Sequence, residues 1–283
     1  MAQSRLVTKA VIAAAGYGSR FLPVTKTIAK PMLPVLNRPL IEYIVEDLVG
    51  AGIRDIYIIV AKGNDQIKRH FSPDPMINSF LRAHGKIDRL ARYEEFYQSV
   101  RLHFVEQDVS PDAPHGTTIP FELIKDQISE GEYFLMLMGD DYVYNSGNDI
   151  KMMLEYFASS DGDGLVVCQE RPEDQLYRYG VFGLRQQDGK LYIDDVVEKP
   201  EPGQAPSNLI NLARYIFDSR IFDYTLRQVR NGDLGLGEYL FTIPMLGFAK
   251  DYRLDPYLTE GKHLDCGNLE GWLETNNFFF EKL

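Results

Sequence analysis

A short apolar segment that ends in two glycines and a cluster of cations constrains this chain more than any other feature. The strand predicted from Ala10 to Ala15 leads into Gly16 and Gly18. Three cations follow among stiffening prolines: Arg20, Lys26 and Lys30. Glycines let main-chain N–H groups approach an anion, and successive N–H groups in a turn form an anion-binding nest. The segment therefore predicts a triphosphate-binding loop after a strand.

Two other phosphate-binding motifs fit this loop poorly. A dinucleotide-binding Rossmann fingerprint needs a third glycine where Phe21 stands, and an acidic residue at the end of the next strand, where Lys62 stands. A P-loop needs a Gly-Lys-Ser/Thr sequence, which does not follow here. Alternatively, the segment could be a turn that binds no ligand and carries incidental surface cations. The presence of Arg20 with both lysines argues against this alternative.

The loop resembles the signature of sugar-1-phosphate nucleotidylyltransferases, Gly-x-Gly-Ser/Thr-Arg-x-x-Pro-x-Thr-Lys-x-x-x-Lys-x-Met-Leu-Pro. Four later segments resemble the same family in the same order: Arg178–Val181, Val196–Pro200, Ala205–Leu209 and His263–Asn268. Within the family, the chain most resembles the bacterial UTP–glucose-1-phosphate uridylyltransferases, over nearly its whole length. The resemblance implies that UTP and glucose 1-phosphate form UDP-glucose and pyrophosphate by Mg²⁺-assisted, in-line attack on the α-phosphorus.

The expected fold is α/β, because apolar, β-branched strands alternate with helical patterns. The resemblance implies a Rossmann-like nucleotidyltransferase fold, with a mixed, mostly parallel central sheet flanked by helices and a smaller antiparallel sugar-side portion. The sequence contains no low-complexity linker. We therefore expect one domain over residues 1–283, with a nucleotide half over about 1–145 and a sugar half over about 146–283.

Composition excludes several classes of partner. A net charge of −11 argues against nucleic acid or an anionic membrane, each of which needs a basic face. No apolar run reaches membrane-spanning length, and the N-terminus lacks the apolar core of a signal peptide. Cys168 and Cys266 are too few for a disulfide framework or a structural zinc site, so we expect a cytoplasmic protein.

A helical stripe of apolar residues marks the region from Met76 to about Val100. Its members stand on a strongly charged background: Ile77, Phe80, Leu81, Ile87, Leu90 and Ala91. A solvated surface hairpin would give the same pattern. The region resembles the helical insertion through which family members pack against another subunit, which implies a homo-oligomer, either a dimer or a tetramer.

Two aspartates are expected to hold the metal ion. Asp140 follows the buried strand Tyr133–Met138, and the carboxyl ends of parallel strands are where open α/β sheets bind ligands. Mg²⁺ takes one or two protein carboxylates and completes its shell with water and phosphate oxygens. The resemblance makes Asp140 one ligand and Asp265 the second, with Asp141 a neighbour of the site. Taken alone, either aspartate would also suit a turn or a helix cap.

The resemblance also implies the remaining catalytic and nucleotide-binding roles. Arg20 neutralises charge on the leaving pyrophosphate, and Lys30 holds the α-phosphate, so these two residues and Asp140 are the expected catalytic groups. The residues expected to contact the nucleotide are Ala14, Ala15, Gly16, Gly18, Lys30, Gln107 and Gly116.

A third set of residues is expected to bind the sugar phosphate. By resemblance, Glu198 accepts hydrogen bonds from sugar hydroxyls and Lys199 holds the sugar phosphate. Gly180 lets the backbone approach the sugar, although a strand bulge would also explain a glycine there. Asn208 and Asn211 complete the expected sugar contacts.

Two segments depart from the uridylyl pattern and leave the base and the sugar open. Gln107 is followed by Asp108 where the pattern has glycine, and Pro114 removes an N–H that would read the base. Leu240 and Ile243 replace polar residues of the pattern. The alternatives are therefore the same chemistry with dTTP, CTP or GTP or with another sugar, and a catalytically silent sugar-nucleotide-binding regulator. A silent copy is expected to lose at least one of five residues that are all present: Arg20, Lys30, Asp140, Lys199 and Asp265.

Overall fold

The structure, a computed structural model, describes residues 5–88, 90 and 96–283. The strands of this part of the chain are β1 (Val7–Ala13), β2 (Pro34–Val35), β3 (Arg38–Pro39), β4 (Asp55–Ala61), β5 (Arg101–Gln107), β6 (Tyr133–Met138), β7 (Asp141–Tyr144), β8 (Gly164–Glu170), β9 (Gly180–Gln187), β10 (Lys190–Glu198), β11 (Leu209–Asp218), β12 (Leu254–Leu258) and β13 (Lys262–Asp265). The α-helices are α1 (Leu40–Gly50), α2 (Gln66–His70), α3 (Pro75–Ala83), α4 (Ile119–Ile124), α5 (Asp149–Ser159), α6 (Ile221–Asn231), α7 (Thr242–Asp251) and α8 (Leu269–Phe280). Short 3₁₀ turns cover Ser19–Phe21, Val24–Lys26, Lys30–Met32, Lys125–Gln127 and Glu173–Arg178.

A nine-stranded mixed sheet forms the centre of the molecule, in the order β10-β9-β11-β6-β1-β4-β5, with β8 and β12 added beside β11. The strands β6, β1, β4 and β5 are mutually parallel, whereas β11 runs antiparallel to β6, β8 and β9. This arrangement confirms the predicted fold class. Because the carboxyl ends of β1, β5 and β6 lie at one edge of the sheet, the residues that follow these strands are brought together there.

Hydrophobic residues pack on both faces of the sheet, as near-continuous apolar strands such as β4 and β6 require. On one face, α1 buries an apolar stripe at helical spacing, which includes Ile41, Ile44 and Leu48. On the other face, the aromatic rings of Phe121 and Phe241 stack with centroids 3.9 Å apart. The two helical layers thereby hold the binding edge of the sheet in place.

Two small sheets complete the fold around that edge. The strands β2 and β3 form a short antiparallel pair, and β7 pairs antiparallel with β13. The β7–β13 pair carries Asp141 and Asp265 at opposed positions. It therefore joins the region after β6 to a segment near the end of the chain.

Some predicted boundaries were wrong. The sequence pattern predicts a helix over residues 238–250. The helix begins only at Thr242, because the backbone of Tyr239 instead bonds to residues 115 and 118. The helix α6 was not predicted. The predicted stripe over residues 76–100 is described only in part: α3 exposes Met76 and Phe80, and Ala91 lies outside the described residues.

Every helix in the described residues is too short or too polar to span a bilayer.

Candidate active site

A cleft with a volume of about 490 Å³ opens at the carboxyl ends of β1, β5 and β6. This size falls in the range of small-molecule binding sites. Seven residues that the sequence singles out line the cleft: Ala14, Ala15, Gly16, Lys30, Gln107, Gly116 and Asp140. The structure therefore brings the predicted nucleotide loop and one predicted metal ligand to a single site.

The glycine loop is shaped by Gly18, although this residue does not line the cleft. Its φ is +63°, and a Cβ added there would come within 3.0 Å of the side chains of both Lys30 and Thr25. The hydroxyl of Thr25 donates to the carbonyl of Gly18 at 2.9 Å, which closes the loop on itself. By contrast, a Cβ added at Gly16 would meet nothing within 4 Å, so the backbone there is open to a ligand.

Lys30 and Asp140 form an ion pair beside this loop. Lys30 begins a 3₁₀ turn, and its Nζ donates to Oδ2 of Asp140. The Lys30 side chain is 12% exposed and that of Asp140 is 34% exposed, so the carboxylate remains open to the cleft. The pair places a cation and an anion where a triphosphate and its counter-ion would meet.

Asp265 lies next to this pair because β13 pairs with β7. Asp265 stands opposite Asp141 in that antiparallel ladder, and opposed residues of such a pair have Cα atoms about 5 Å apart. The carboxylate of Asp265 accepts from Gly267 N–H at 2.7 Å and from the Asn268 side chain at 3.0 Å, which fixes its orientation. A Cβ added at Gly267 would lie 2.5 Å from Asp265 Oδ1 and 3.6 Å from Lys30 Nζ. Asp265 and Lys30 therefore border the same space.

The donor set suits a hard divalent cation. Within the described residues, no group of three or more His, Cys, Asp or Glu side chains could enclose a metal ion. Two neighbouring carboxylates, Asp140 and Asp265, fit a cation such as Mg²⁺ that takes its other ligands from water and phosphate. A zinc or calcium cage would need more protein ligands than this site offers.

Asp141 has different surroundings from Asp140. Its Oδ1 lies 2.9 Å from Nε2 of His263, although the two groups are poorly aligned for a hydrogen bond. Arg171 donates to the other ring nitrogen of His263 at 3.2 Å. Because arginine can only donate, this bond leaves the proton of a neutral His263 ring on Nε2, facing Asp141. Asp141 therefore lies beside His263 and does not line the cleft.

Arg20 is placed outside the cleft lining. It lies exposed in the 3₁₀ turn Ser19–Phe21 and borders a shallow depression with Leu269, the first residue of α8. Its guanidinium has no hydrogen-bond or ion-pair partner among the residues that the structure describes. It is therefore free to meet an anion at the edge of the site.

The predicted sugar-side residues lie outside the lining of this cleft. Gly180 and Glu198 are paired in the β9–β10 ladder, and a Cβ added at Gly180 would lie 3.1 Å from Oε1 of Glu198. Burial raises the pKa of Glu198, and a hydrogen bond from Thr242 partly opposes that rise. Lys199 is exposed, with φ +48°, and its N–H donates to Tyr179 at 2.9 Å.

The two predicted asparagines differ in availability. Asn208 is exposed just before β11. The side chain of Asn211 is used within the protein: its Nδ2 donates to Tyr215 at 2.9 Å and its Oδ1 accepts from Ala213 N–H at 2.8 Å. These bonds stabilise the irregular register of β11, where Ala213 has a positive φ.

The two segments that depart from the uridylyl pattern, around Pro114 and around Leu240, contact each other through their backbones. The sequence did not predict this contact. Thr118 N–H donates to the carbonyl of Tyr239 at 2.9 Å, and Tyr239 N–H donates to His115 at 3.0 Å. His115 and Glu238, which the sequence did not single out, both line the cleft. One signal in the sequence could have revealed this contact. Both segments depart from the uridylyl pattern, and residues that contact each other tend to change together.

A family model described as nucleotidyl transferase matches residues 9–282 of the chain. The chain belongs to the nucleotidyl transferase family. It is 35% identical to a UTP–glucose-1-phosphate uridylyltransferase 2 of Staphylococcus saprophyticus, over 96% of this chain and 91% of that protein. It is 33% identical to a UTP–glucose-1-phosphate uridylyltransferase of Bacillus subtilis, over 95% of this chain and 89% of that protein. The resemblance stated from the sequence motifs is confirmed.

Solved structures agree with this family assignment. The chain superposes on a UDP-glucose pyrophosphorylase complexed with UDP-glucose with a TM-score of 0.83 and 27% identity, over 98% of this chain and all of that one. It superposes on a UTP-bound enzyme of this kind from Acinetobacter baumannii with a TM-score of 0.87 and 27% identity, over 98% and 95% of the two chains. The likeness extends over the whole fold and includes both halves of the sheet.

Proposed function

We propose that this chain transfers a uridylyl group from UTP to glucose 1-phosphate and releases pyrophosphate. One observation carries the proposal: Lys30, Asp140 and Asp265 converge beside a glycine loop and a 490 Å³ cleft. The relatives that are 33–35% identical over nearly the whole chain bear the name of this activity. This geometry supports the proposal because such a transfer needs a triphosphate grip, a metal site and a base-sized cleft.

The reaction requires that two anions that repel each other, UTP and glucose 1-phosphate, are brought together. A phosphate oxygen of glucose 1-phosphate attacks the α-phosphorus in line, and the bond from that phosphorus to pyrophosphate breaks. The open backbone at Gly16 and the ammonium of Lys30 hold the α-phosphate, and the exposed guanidinium of Arg20 neutralises the leaving pyrophosphate. Asp140 and Asp265 are the residues that would hold Mg²⁺, which when bound would neutralise charge on the triphosphate.

The sugar side is proposed to lie on β9, β10 and β11. Lys199 holds the sugar phosphate, and the carboxylate of Glu198 accepts hydrogen bonds from sugar hydroxyls. The ionised carboxylate of Glu198 is a stronger acceptor than the protonated group. Because burial raises the pKa of Glu198, binding of the sugar weakens as the solution becomes acidic. In this proposal residues up to about 145 serve the nucleotide and later residues serve the sugar, within one domain.

Pyrophosphate release tests the proposal. Glucose 1-phosphate is offered with UTP, dTTP, CTP, GTP and ATP separately, in magnesium buffer and again with a chelator. We expect the highest kcat/KM with UTP and no release with the chelator. Preference for another nucleotide would show that the same reaction uses a different base. Pro114 favours that outcome because it lacks the N–H that would contact uracil in the uridylyl pattern. No release with any nucleotide, or with other sugar phosphates, would favour a silent regulator.

We further propose a homo-oligomer in the cytoplasm. The exposed Met76, Ile77 and Phe80 on α3 form an apolar surface that a second copy would cover. Light scattering should therefore give a mass above the 32.4 kDa of one chain, and a mass of one chain would contradict this. Both cysteines are buried free thiols, which suits a reducing compartment.

A further inference from the structure

Tyr17 makes a contact across the cleft that its exposure does not suggest. It stands between Gly16 and Gly18 and is 67% exposed, yet its hydroxyl donates to the carbonyl of Val109 at 2.7 Å. The two residues are 92 positions apart in the chain and both line the cleft. An aromatic residue this exposed adds little to the hydrophobic core, so packing does not explain its position.

The contact links two walls of the site that different strands support. Tyr17 belongs to the loop that follows β1, and Val109 belongs to the segment that follows β5. In the sheet, β4 lies between those strands, which places them about 10 Å apart. The Tyr17 side chain therefore reaches across the position of β4 to tie the phosphate loop to the opposite wall.

The segment that receives this hydrogen bond has a defined shape of its own. The carboxylate of Asp108 accepts from Ser110 N–H at 2.9 Å, and Ala113 N–H donates to Ser110 at 3.0 Å. These bonds form a turn that presents the carbonyl of Val109 to Tyr17. The turn follows directly after Gln107, which lines the cleft and whose side-chain amide has no partner among the described residues.

We propose that Tyr17 is a nucleotide-positioning residue, whose hydroxyl ties the phosphate loop to the Gln107–Ala113 segment and so sets the width of the cleft. This inference rests on the proposed nucleotide transfer. A cleft of fixed width loses less conformational entropy when it binds the nucleotide. Binding is therefore stronger, and the chemical step is unaltered. The tie acts equally on substrate and transition state, so its loss raises KM and leaves kcat unchanged.

The variant Tyr17→Phe tests the proposal because it removes only the hydroxyl oxygen. The matched control is Tyr224→Phe, which removes the hydroxyl of a half-buried tyrosine that lies outside the cleft lining and donates to Asp251. For Tyr17→Phe we expect KM for UTP, and for UDP-glucose in the reverse direction, to rise about fivefold, the effect of one net hydrogen bond. The kcat and the KM for glucose 1-phosphate should not change, and the control should match the wild type. Wild-type KM values for both nucleotides in Tyr17→Phe would overturn the inference.

Amide hydrogen exchange gives a second readout that needs no nucleotide. Without its tie, the segment from Asp108 to Ala113 should exchange faster in Tyr17→Phe than in the wild type or the control. If the wild type releases no pyrophosphate with any nucleotide, the proposed function fails, and exchange in this segment still decides whether the tie exists. Unchanged exchange in Tyr17→Phe would refute the tie even if the enzyme is a uridylyltransferase.

Discussion

Gly116→Ala is the substitution whose effect the structure defines most closely. Gly116 has φ +124°, which L-residues rarely adopt, and it lines the cleft. A Cβ added there would lie 2.5 Å, 2.6 Å and 2.8 Å from the carbonyl oxygen, nitrogen and carbonyl carbon of Tyr239. These are backbone atoms, which cannot rotate away as the end of a side chain can. The methyl group therefore forces the two segments apart.

The expected loss of stability has two parts. Holding alanine at this φ costs about 1–3 kcal/mol of unfolding free energy. Separating the segments also weakens the hydrogen bonds of Tyr239 with Thr118 and His115, each worth about 1 kcal/mol net. The sum is about 3–5 kcal/mol, which for a chain of this size lowers Tm by on the order of 10 °C. Because the same shift reshapes the cleft wall, KM for UTP should rise as well.

Gly189→Ala provides the matched control for this experiment. Gly189 also has a positive φ, +78°, but a Cβ added there would meet nothing within 4 Å, and it lies in the turn between β9 and β10. Its substitution should cost about 1–2 kcal/mol from backbone conformation alone and leave KM unchanged. Urea unfolding followed by circular dichroism measures both variants against the wild type. Equal destabilisation by the two substitutions would show that the contact with Tyr239 does not constrain Gly116.

Three further predictions concern the metal site, the sugar side and pH. Asp140→Asn should reduce turnover by at least about 10³-fold while changing unfolding free energy by under about 1 kcal/mol, because the carboxylate is partly exposed; wild-type pyrophosphate release in magnesium buffer would contradict it. Gly180→Ala places a methyl group 3.1 Å from the carboxylate of Glu198, so KM for glucose 1-phosphate should rise with no change in KM for UTP; equal rises would argue against a sugar-side role. The guanidinium of Arg101 lowers the pKa of Asp55 to about 2, so the pair stabilises the fold above the unfolded-state pKa near 4 and loses this effect as pH falls through about 2. Asp55→Asn should therefore cost up to about 1 kcal/mol at pH 7 and almost nothing near pH 2, since the pair is partly exposed; a cost independent of pH would exclude the ion pair as its source.

Much of the nucleotide side could be predicted from the sequence because its signals are local. The glycine loop lies within one short segment that follows directly after β1, and four of its predicted residues line the cleft: Ala14, Ala15, Gly16 and Lys30. The stripe of α1 and the apolar runs of β4 and β6 are likewise properties of single segments, which side-chain spacing encodes. Gln107 and Asp140 could be predicted in the same way, because one ends β5 and the other closely follows β6.

The remaining features depend on which distant segments meet, and spacing along one segment does not encode that. Asp265 lies opposite Asp141, the neighbour of Asp140, only because β13 pairs with β7. Gly116 is confined only because the backbone of Tyr239 crosses it. Likewise, no local pattern relates Tyr17 to Val109. The sequence by itself therefore determined most of the elements, the glycine loop and the family. The tertiary structure decided how Asp265 comes to lie near Asp140, how the wall of the cleft is built and where Tyr17 bonds across it. The reason is that backbone pairing between remote segments follows from the packing of the whole sheet.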